Sequence, residues 1–488
     1  MGLTVSAMHV PIVCAICIGL LLPPQARAGQ APGPAAAPNI PISSQDRVYM
    51  SDQTSNTVSV VDPSTDRLLG VIRLGDPLPG SLNPRYKAQL LVHGMGFSPE
   101  HRTLVVVSTG SNSVAFIDTQ TNAVRHVTYV GRSPHEAMYT PDGSEVWVTI
   151  RGENYVQVID ARSFKLTKRI EVPNGPGMTI FSPDGRYGYV CSSFSPETVV
   201  VDTKSHRVVG RVAQASPFCP NIAATPDGSQ VWLTLKDVGK TQVFNARPPF
   251  NTVAVIDTGP ITNHVNIVRN ANGQFAYVTI GGANEVKVYT TTDHPTLVAT
   301  IPVGDLPHGI WPSGDGARIY AGLENGTALA VIDTATNAVV ATVPTGQSPQ
   351  AIVYVPQAVR AGAGTDNLAP LGASGTAMHA ALVAVGTQDV RTTVAVNDQG
   401  LVDLLEAAAS GLAPKTSYVL ALAANREGSG ALEPIARFTA SADGGAIPVT
   451  VGPFRRALAG DASFPARFLV IAKVDATGKP GEIVQVQR

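Results

Sequence analysis

The stretch SPHEAMYTPDGSEVWVTIRGENYVQVIDARSFKLTKRIEV, residues 133–172, holds four short apolar segments that are separated by tight turns. The turns are marked by TPDG (140–143) and by the polar segment RGEN (151–154). Apolar residues roughly alternate within the segments, which predicts β-strands with a buried face. A sheet of four short strands cannot bury its own faces, so this stretch requires copies of itself.

The copies extend over most of the chain. An anchor position is occupied in turn by Tyr49, Val105, Trp147, Tyr189, Trp232, Tyr277 and Tyr320. Thirteen residues after each anchor stands Asp62, Asp118, Asp160, Asp202, Asn245, Thr290 or Asp333. The constant gap predicts a hairpin of fixed length. A period near 42 residues, with four strands in each unit, is typical of a β-propeller.

Several segments of these copies carry a family pattern: VSVVDPSTD (58–66), VAFIDTQTNAV (114–124), YVTIGGANEVKVY (277–289) and VIDTATNAVVATVPTG (331–346). They resemble the YVTN family of β-propeller repeats, over roughly Arg47 to Pro356. The resemblance implies a seven-bladed propeller, and it implies little about function because propellers carry unrelated chemistries. The GH and WD dipeptides of the rival WD40 repeat are absent from the sequence.

The ends of the repeat region predict how the propeller closes. The first copy begins at its second strand, near Arg47–Met50, and the last ends in a lone first strand, Gln350–Val355. We expect these two strands to pair, which completes blade one and closes seven blades over residues 46–356. Two insertions lengthen the spacing between strands of the repeats, Asp76–Gln89 and Ala246–Asn251.

Residues 357–375 are rich in Ala and Gly and predict a linker, after which 376–488 predict a small β-sandwich. Its expected strands are 380–385, 392–397, 418–424, 436–440, 468–474 and 483–487. The segment 411–430 is similar to the end of a fibronectin-III-like or other immunoglobulin-like domain, in which Leu412, Pro414 and Tyr418 would form a corner. The resemblance implies an adhesion or spacer module. The fold class is therefore all-β, a seven-bladed propeller followed by a β-sandwich.

Composition and the N-terminal residues predict the compartment. An apolar run over 10–22 is followed by Ala26-Arg27-Ala28, which predicts a secretory signal over 1–28 and a periplasmic or extracellular protein. An uncleaved anchor is the rival interpretation, since no Lys or Arg precedes the run. Residues 29–45 predict a disordered linker. A net charge of −1 argues against a nucleic-acid partner, and we expect no integral membrane segment in the mature chain.

Candidate binding residues follow from the geometry of propellers, in which first strands begin at one mouth of the central channel. These starts hold four histidines, and the loops between second and third strands open on the same face. The predicted ring comprises Asp52, His93, His135, Arg151, Glu153, Lys236, His264, His308 and Glu324. The repeated aspartates are interpreted as turn caps rather than metal ligands, because they lie on different blades.

The four ring histidines, His93, His135, His264 and His308, suggest a transition-metal site for Cu or Zn, since neutral imidazole binds these metals. We expect adjacent pairs to bind metal, because one ion spanning all four requires a narrow mouth. Covalent c-type haem is excluded because no C-x-x-C-H motif is present. Cys191 and Cys219 are either a disulfide between neighbouring blades or two buried thiols.

Three functions compete at this stage. The first is a secreted scaffold that recognises a protein or cell-envelope ligand through the channel mouth, with the sandwich as spacer. The second is a periplasmic metal-binding or redox protein that uses the histidines. The third is a lactonase-like hydrolase, for which Glu136, Glu153, Glu324 and Asn154 supply mouth side chains. The first is favoured because motifs such as G-x-S-x-G and H-E-x-x-H are absent.

Overall fold

The computed structural model describes residues 1–2, 41–75, 90–400 and 402–488. The expected secretory signal beyond Gly2, the linker up to residue 40 and the insertion 76–89 lie outside these residues. Within the described ranges, the chain forms seven four-stranded antiparallel sheets and one eight-stranded sheet. This confirms the predicted all-β fold with a seven-bladed propeller. Among the same residues, no helix has the length and apolar character needed to cross a membrane.

The blades share one plan, in which strands are stacked outward from the channel. The innermost strands are Val92–Phe97, Pro134–Tyr139, Pro176–Phe181, Ile222–Ala224, Thr262–Asn270, Pro307–Pro312 and Pro349–Val355. The second strands are Arg47–Asp52, Thr103–Ser108, Glu145–Ile150, Tyr187–Ser192, Gln230–Leu235, Gly273–Ile280 and Arg318–Leu323.

The third strands are Thr57–Asp62, Ser113–Asp118, Tyr155–Asp160, Glu197–Asp202, Lys240–Asn245, Glu285–Thr290 and Ala328–Asp333. The outer strands are Arg67–Arg73, Val124–Tyr129, Leu166–Glu171, Arg207–Ala213, Thr252–Asp257, Leu297–Pro302 and Ala338–Pro344. Innermost strands are buried along their length, whereas Val124–Tyr129 and Leu166–Glu171 are mostly exposed. The core therefore lies between blades and around the channel.

The propeller closes as the repeat pattern predicts. The strand Pro349–Val355 pairs antiparallel with Arg47–Asp52, and Tyr49 lies opposite Val353 in this pairing. The last strand of the repeat region thus completes the blade that the first strand begins. The repeated aspartates cap turns, as expected: Asp160 Oδ1 accepts the backbone N–H of Ser163 at 2.8 Å.

The C-terminal region is built on a sheet that almost closes on itself. Its strands are Ala377–Ala384, Val390–Asp398, Asp403–Ala409, Ser417–Ala423, Glu433–Thr439, Val449–Gly452, Phe468–Val474 and Pro480–Gln487. A short helix, Phe454–Ala459, follows the sixth strand. Outside this sheet, short 3-10 helices lie in the propeller at Gly281–Ala283 and before the first strand of the sheet at Gly372–Gly375. The two edge strands meet where Thr450 Oγ1 donates to the carbonyl of Ile435 at 3.1 Å.

This continuous sheet differs from the two separate sheets of an immunoglobulin-like domain. The strand Phe468–Val474 pairs with Ser417–Ala423 on one side and with Pro480–Gln487 on the other, so it joins what would be two sheets. The expected corner is present, because the N–H of Ala413 donates to the hydroxyl of Tyr418 at 3.0 Å. The sequence did not predict the strands Asp403–Ala409 and Val449–Gly452.

The C-terminal region lies against the mouth of the propeller, and we call residues 376–488 the cap. The N–H of Ile261 donates to Asp443 Oδ2 at 2.9 Å, and Asn325 Nδ2 donates to the carbonyl of Thr393 at 3.0 Å. The cap residue Asn397 also donates through Nδ2 to Ser348 Oγ at 3.0 Å. These bonds involve the mouth loops of blades six, seven and one. The cap therefore covers the channel mouth, and its expected role as an adhesion or spacer module stays a prediction.

Candidate functional site

β-Bulges occur at the starts of the four innermost strands that carry the predicted histidines, and they orient these side chains toward the channel. The pairing register with the second strand shifts within residues 92–95, 134–137, 262–265 and 307–310. A bulge opposes two residues to one and redirects side chains. In blade three, the consecutive residues His135 and Glu136 both line the channel as a result.

The four histidines form one continuous buried cluster. The ring centres of His93 and His135 are 4.3 Å apart, and those of His264 and His308 are 4.5 Å apart. The two pairs are linked, since the rings of His93 and His308 lie 6.2 Å apart. The four rings therefore lie close together at the channel mouth.

Hydrogen bonds fix the orientation of two of these rings. His135 Nδ1 lies 2.8 Å from the carbonyl oxygen of Gly177, and His308 Nδ1 lies 3.3 Å from that of Gln350. A carbonyl only accepts, so each Nδ1 carries the proton and each Nε2 keeps a free lone pair. The atoms His93 Nδ1 and His264 Nε2 are buried without a hydrogen-bond partner.

The cluster is uncharged at neutral pH. Burial, with smaller effects from the charges of Arg151 and Lys236, lowers the pKa of His93 to about 3. Burial likewise lowers the pKa of His264 to about 3. Neutral imidazole is the form that binds transition metals, so protons do not compete for these nitrogens near neutral pH.

Glu136 completes a set of three convergent donor atoms. One donor atom each of His93, His135 and Glu136 lie within 4.8 Å of one another. Glu136 Oε1 is buried without a hydrogen-bond partner, 4.0 Å from His93 Nδ1. Burial raises the pKa of this carboxyl to about 8. Ligand atoms held about 2.1 Å from one ion lie roughly 3–4 Å apart, so the separations of up to 4.8 Å in this set are wider than those of a metal-bound set.

Gly94 provides the space for this carboxyl. It occupies the bulge position of blade two that corresponds to Glu136 in blade three. A Cβ atom at Gly94 would overlap the carbonyl oxygen of His135 and Oε2 of Glu136. The absence of a side chain in one blade therefore admits the carboxylate of the next.

A second group of titratable residues joins the propeller to the cap. Burial raises the pKa of Glu324, whereas the charge of Lys236 and a hydrogen bond from Gln350 act to lower it. Burial and the charge of Glu324 raise the pKa of the cap residue Glu406 well above its usual range. The two carboxyls therefore influence each other's pKa across the interface between the propeller and the cap.

A cavity of about 500 Å³ lies between the mouth and the cap. Six of the nine predicted ring residues line it: His93, His135, Arg151, Lys236, His308 and Glu324. The cap contributes Phe438, Thr439, Ser441 and the segment 445–448. His264 and Glu136 line a smaller void deeper in the channel.

The remaining two predicted residues lie elsewhere. Asp52 is buried and accepts hydrogen bonds at 2.8 Å from both Thr57 Oγ1 and Ser59 Oγ, so it stabilises blade one. Burial, opposed by these hydrogen bonds, raises its pKa to about 7. Glu153 lies on the exposed rim and accepts the backbone N–H of Arg132 at 2.9 Å. Both carboxylates are bound by their own blades and do not face the cavity.

Two functional candidates were absent from the predicted ring. Glu136 directly follows His135, and the sequence named it only as a mouth side chain of the lactonase-like hydrolase; the bulge lets both consecutive residues face the channel. Glu406 carried no comparable signal, because its position depends on how the cap docks. The cysteines do pair: Cys191 and Cys219 form a disulfide between blades four and five, with Cα atoms 6.0 Å apart.

Comparisons with known proteins support the fold. No protein-family model matches the chain, and no curated protein matches it. A functionally unknown protein from Desulfotomaculum acetoxidans DSM 771 is 16% identical, with a TM-score of 0.53 over 63% of this chain and 98% of its own. The periplasmic gluconolactonase PpgL of Pseudomonas aeruginosa is 17% identical, with a TM-score of 0.50 over 64% of this chain and 99% of its own.

Hydrazine synthase of Kuenenia stuttgartiensis is also similar, at 22% identity and a TM-score of 0.48, over 53% of this chain and 88% of that chain. All three identities are low. The similarity to the first two proteins shows the propeller fold alone, and the site must be judged by its own geometry.

Proposed function

We propose that the covered mouth is a divalent transition-metal site, with His93, His135 and Glu136 as ligands of Zn²⁺ or Cu²⁺. The observation that supports this most directly is the convergence of their donor atoms within 4.8 Å. Two of these residues also have a polar atom that is buried without a hydrogen-bond partner, Nδ1 of His93 and Oε1 of Glu136. Leaving such polar atoms unsatisfied costs free energy, and a bound cation would satisfy both.

Two imidazoles and one carboxylate match the donor set of open metal sites, which keep a position for water or substrate. The cavity in front of the set provides room for such a ligand. We therefore infer a metal-dependent protein that acts on or binds a small molecule. A macromolecular partner at the mouth is less favoured, because the cap occupies that face.

We further infer that the protein acts in the periplasm or outside the cell and that its blades are of the YVTN type. The disulfide Cys191–Cys219 supports an oxidising compartment, as does the apolar N-terminal run over 10–22. The recurrent VIDTxTN-like segments, such as 331–337, support the repeat type.

The test begins with elemental analysis of protein purified from its native compartment without chelators. Calorimetric titration with Zn²⁺ and Cu²⁺ then compares the wild type with His93→Ala/His135→Ala and with Glu136→Gln. We expect one metal per chain for the wild type and at least roughly tenfold weaker binding for the variants. His126→Ala is the matched control, since His126 stacks on Phe164 at 5.0 Å on the outer side of a blade. Equal affinity of the wild type and the double variant would refute the site.

Lactone hydrolysis is a second candidate, favoured by one observation. The carboxyl of Glu324 lines the same cavity as the proposed ligands His93 and His135, and a metal can activate water while a nearby carboxylate moves protons. The gluconolactonase named above has the same fold, but fold alone does not assign this activity. A screen of γ- and δ-lactones with metal-loaded and metal-free protein decides between hydrolysis and binding.

A further inference from the structure

Arg151 is a cation at the covered mouth that has no anionic partner among the described residues. Its guanidinium carbon lies 4.9 Å from the ring centre of Phe218 and 5.6 Å from that of Phe194, so two aromatic rings hold the side chain in place. Its Nε is buried without a hydrogen-bond partner. Burial lowers the pKa of Arg151 to about 10, and the group is therefore charged at neutral pH.

The surroundings of Arg151 leave this charge uncompensated. Lys236 lines the same cavity, and both cations act on the pKa of His93. Burial lowers the pKa of Lys236, and the charges of Glu324 and Glu406 act to raise it, whereas burial alone acts on the pKa of Arg151. Two further acidic groups are engaged elsewhere. Asp237 accepts a hydrogen bond from Ser216 Oγ, and the cap residue Asp443 accepts the backbone N–H groups of Ile261 at 2.9 Å and Gly445 at 2.8 Å.

We propose that the cavity binds a small organic carboxylate, held by Arg151 and Lys236. The guanidinium presents a planar fork of donors that matches a carboxylate, and the ammonium adds a second charged donor. The apolar body of the ligand packs against Phe218 of the propeller and against Ile447 and Pro448 of the cap, which line the same space. The volume of about 500 Å³ lies in the range of small-molecule sites.

The apolar side of the cavity favours an organic carboxylate over inorganic phosphate. The two cations offer eight N–H donors and two positive charges, which would satisfy either anion. Phe218, Ile447 and Pro448 line the same space, so the cavity suits a ligand with a hydrophobic portion. The carboxylate site goes beyond the proposed metal centre and does not depend on it, because its cations bind without metal.

The experiment is calorimetric titration of the full mature chain, after chelator treatment, with benzoate, benzamide and inorganic phosphate. Benzamide has nearly the shape of benzoate and lacks its charge. We expect benzoate to bind at least roughly tenfold more tightly than benzamide, because the charge-assisted hydrogen bonds are lost with the amide. Arg151→Met should weaken benzoate binding by a similar factor. Arg169→Met is the control, since Arg169 stacks on Tyr155 at 4.3 Å outside the cavity.

Three results would overturn the proposal: no benzoate binding at millimolar concentration, equal binding of benzoate and benzamide, or unchanged binding by Arg151→Met. Tighter binding of phosphate than of benzoate would overturn the ligand class. If Arg151→Met fails to fold, as judged by circular dichroism, Lys236→Met tests the same cavity. Glu136→Gln separates the two sites, because Glu136 is a proposed metal ligand that lines the deeper void and not this cavity. The variant should weaken Zn²⁺ binding and keep benzoate binding.

Discussion

Removal of the disulfide between blades four and five is expected to destabilise the propeller measurably. Cys191 and Cys219 are 28 residues apart in the sequence, and both are fully buried. Cross-linking a loop of this length removes about 12 cal/mol/K of entropy from the unfolded chain, which is about 3.5 kcal/mol at 25 °C. For a propeller of roughly 300 residues, with about 2.1 cal/mol/K of unfolding entropy per residue, this loss lowers Tm by about 6 °C.

The assay is thermal unfolding followed by circular dichroism, with wild type and Cys191→Ala/Cys219→Ala each measured after oxidising and after reducing treatment. The reducing treatment includes mild denaturant, because the sulfur atoms are buried, and the denaturant is removed before the scan. Reduction should lower the Tm of the wild type and leave that of the double variant unchanged. If oxidised and reduced wild type melt within about 1 °C, or if unreduced denatured protein titrates two free thiols, the cross-link argument fails.

Three further outcomes are expected. In the folded protein, the raised pKa of Glu406 keeps this carboxyl protonated at pH values at which the unfolded chain releases the proton. The free energy of unfolding therefore falls as pH rises above the usual carboxyl range. Glu406→Gln should reduce this fall in a series of Tm values measured at increasing pH. Val353→Ala, at a fully buried site in the closing strand, should cost about 2 kcal/mol in urea unfolding, whereas Val340→Ala on an exposed strand should cost almost nothing. Gly94→Ala should weaken Zn²⁺ binding in calorimetry, because the new methyl group overlaps the carboxylate of Glu136.

The architecture of the propeller was predictable because it depends on local spacing. A fixed gap of thirteen residues between anchor and aspartate defines one hairpin, and its recurrence defines the blades. The closing strand followed from the incomplete first and last copies, and it pairs as expected. Convergence of the histidines followed from the same symmetry, since equivalent positions of different blades surround one channel.

The details of the site were not predictable, because they depend on contacts between distant parts of the chain. Asp52 and Glu153 occupy mouth loops, yet hydrogen bonds within their own blades hold them away from the cavity. The bulges that bring Glu136 beside His93 change the strict alternation on which the sequence argument relied. Glu406 enters the mouth only because the cap docks there, and no repeat pattern records that contact.

Burial makes the histidines of the channel mouth differ in charge from histidines exposed to water. Exposed imidazoles keep pKa values near 6.5 and are partly protonated in mildly acidic surroundings. Burial lowers the pKa of His93 to about 3, while Arg151 keeps its charge. The result is a cavity with neutral metal-type donors on one wall and a fixed cation on another. Such a combination favours a small anionic molecule that reaches both walls over a protein partner that binds only at the rim.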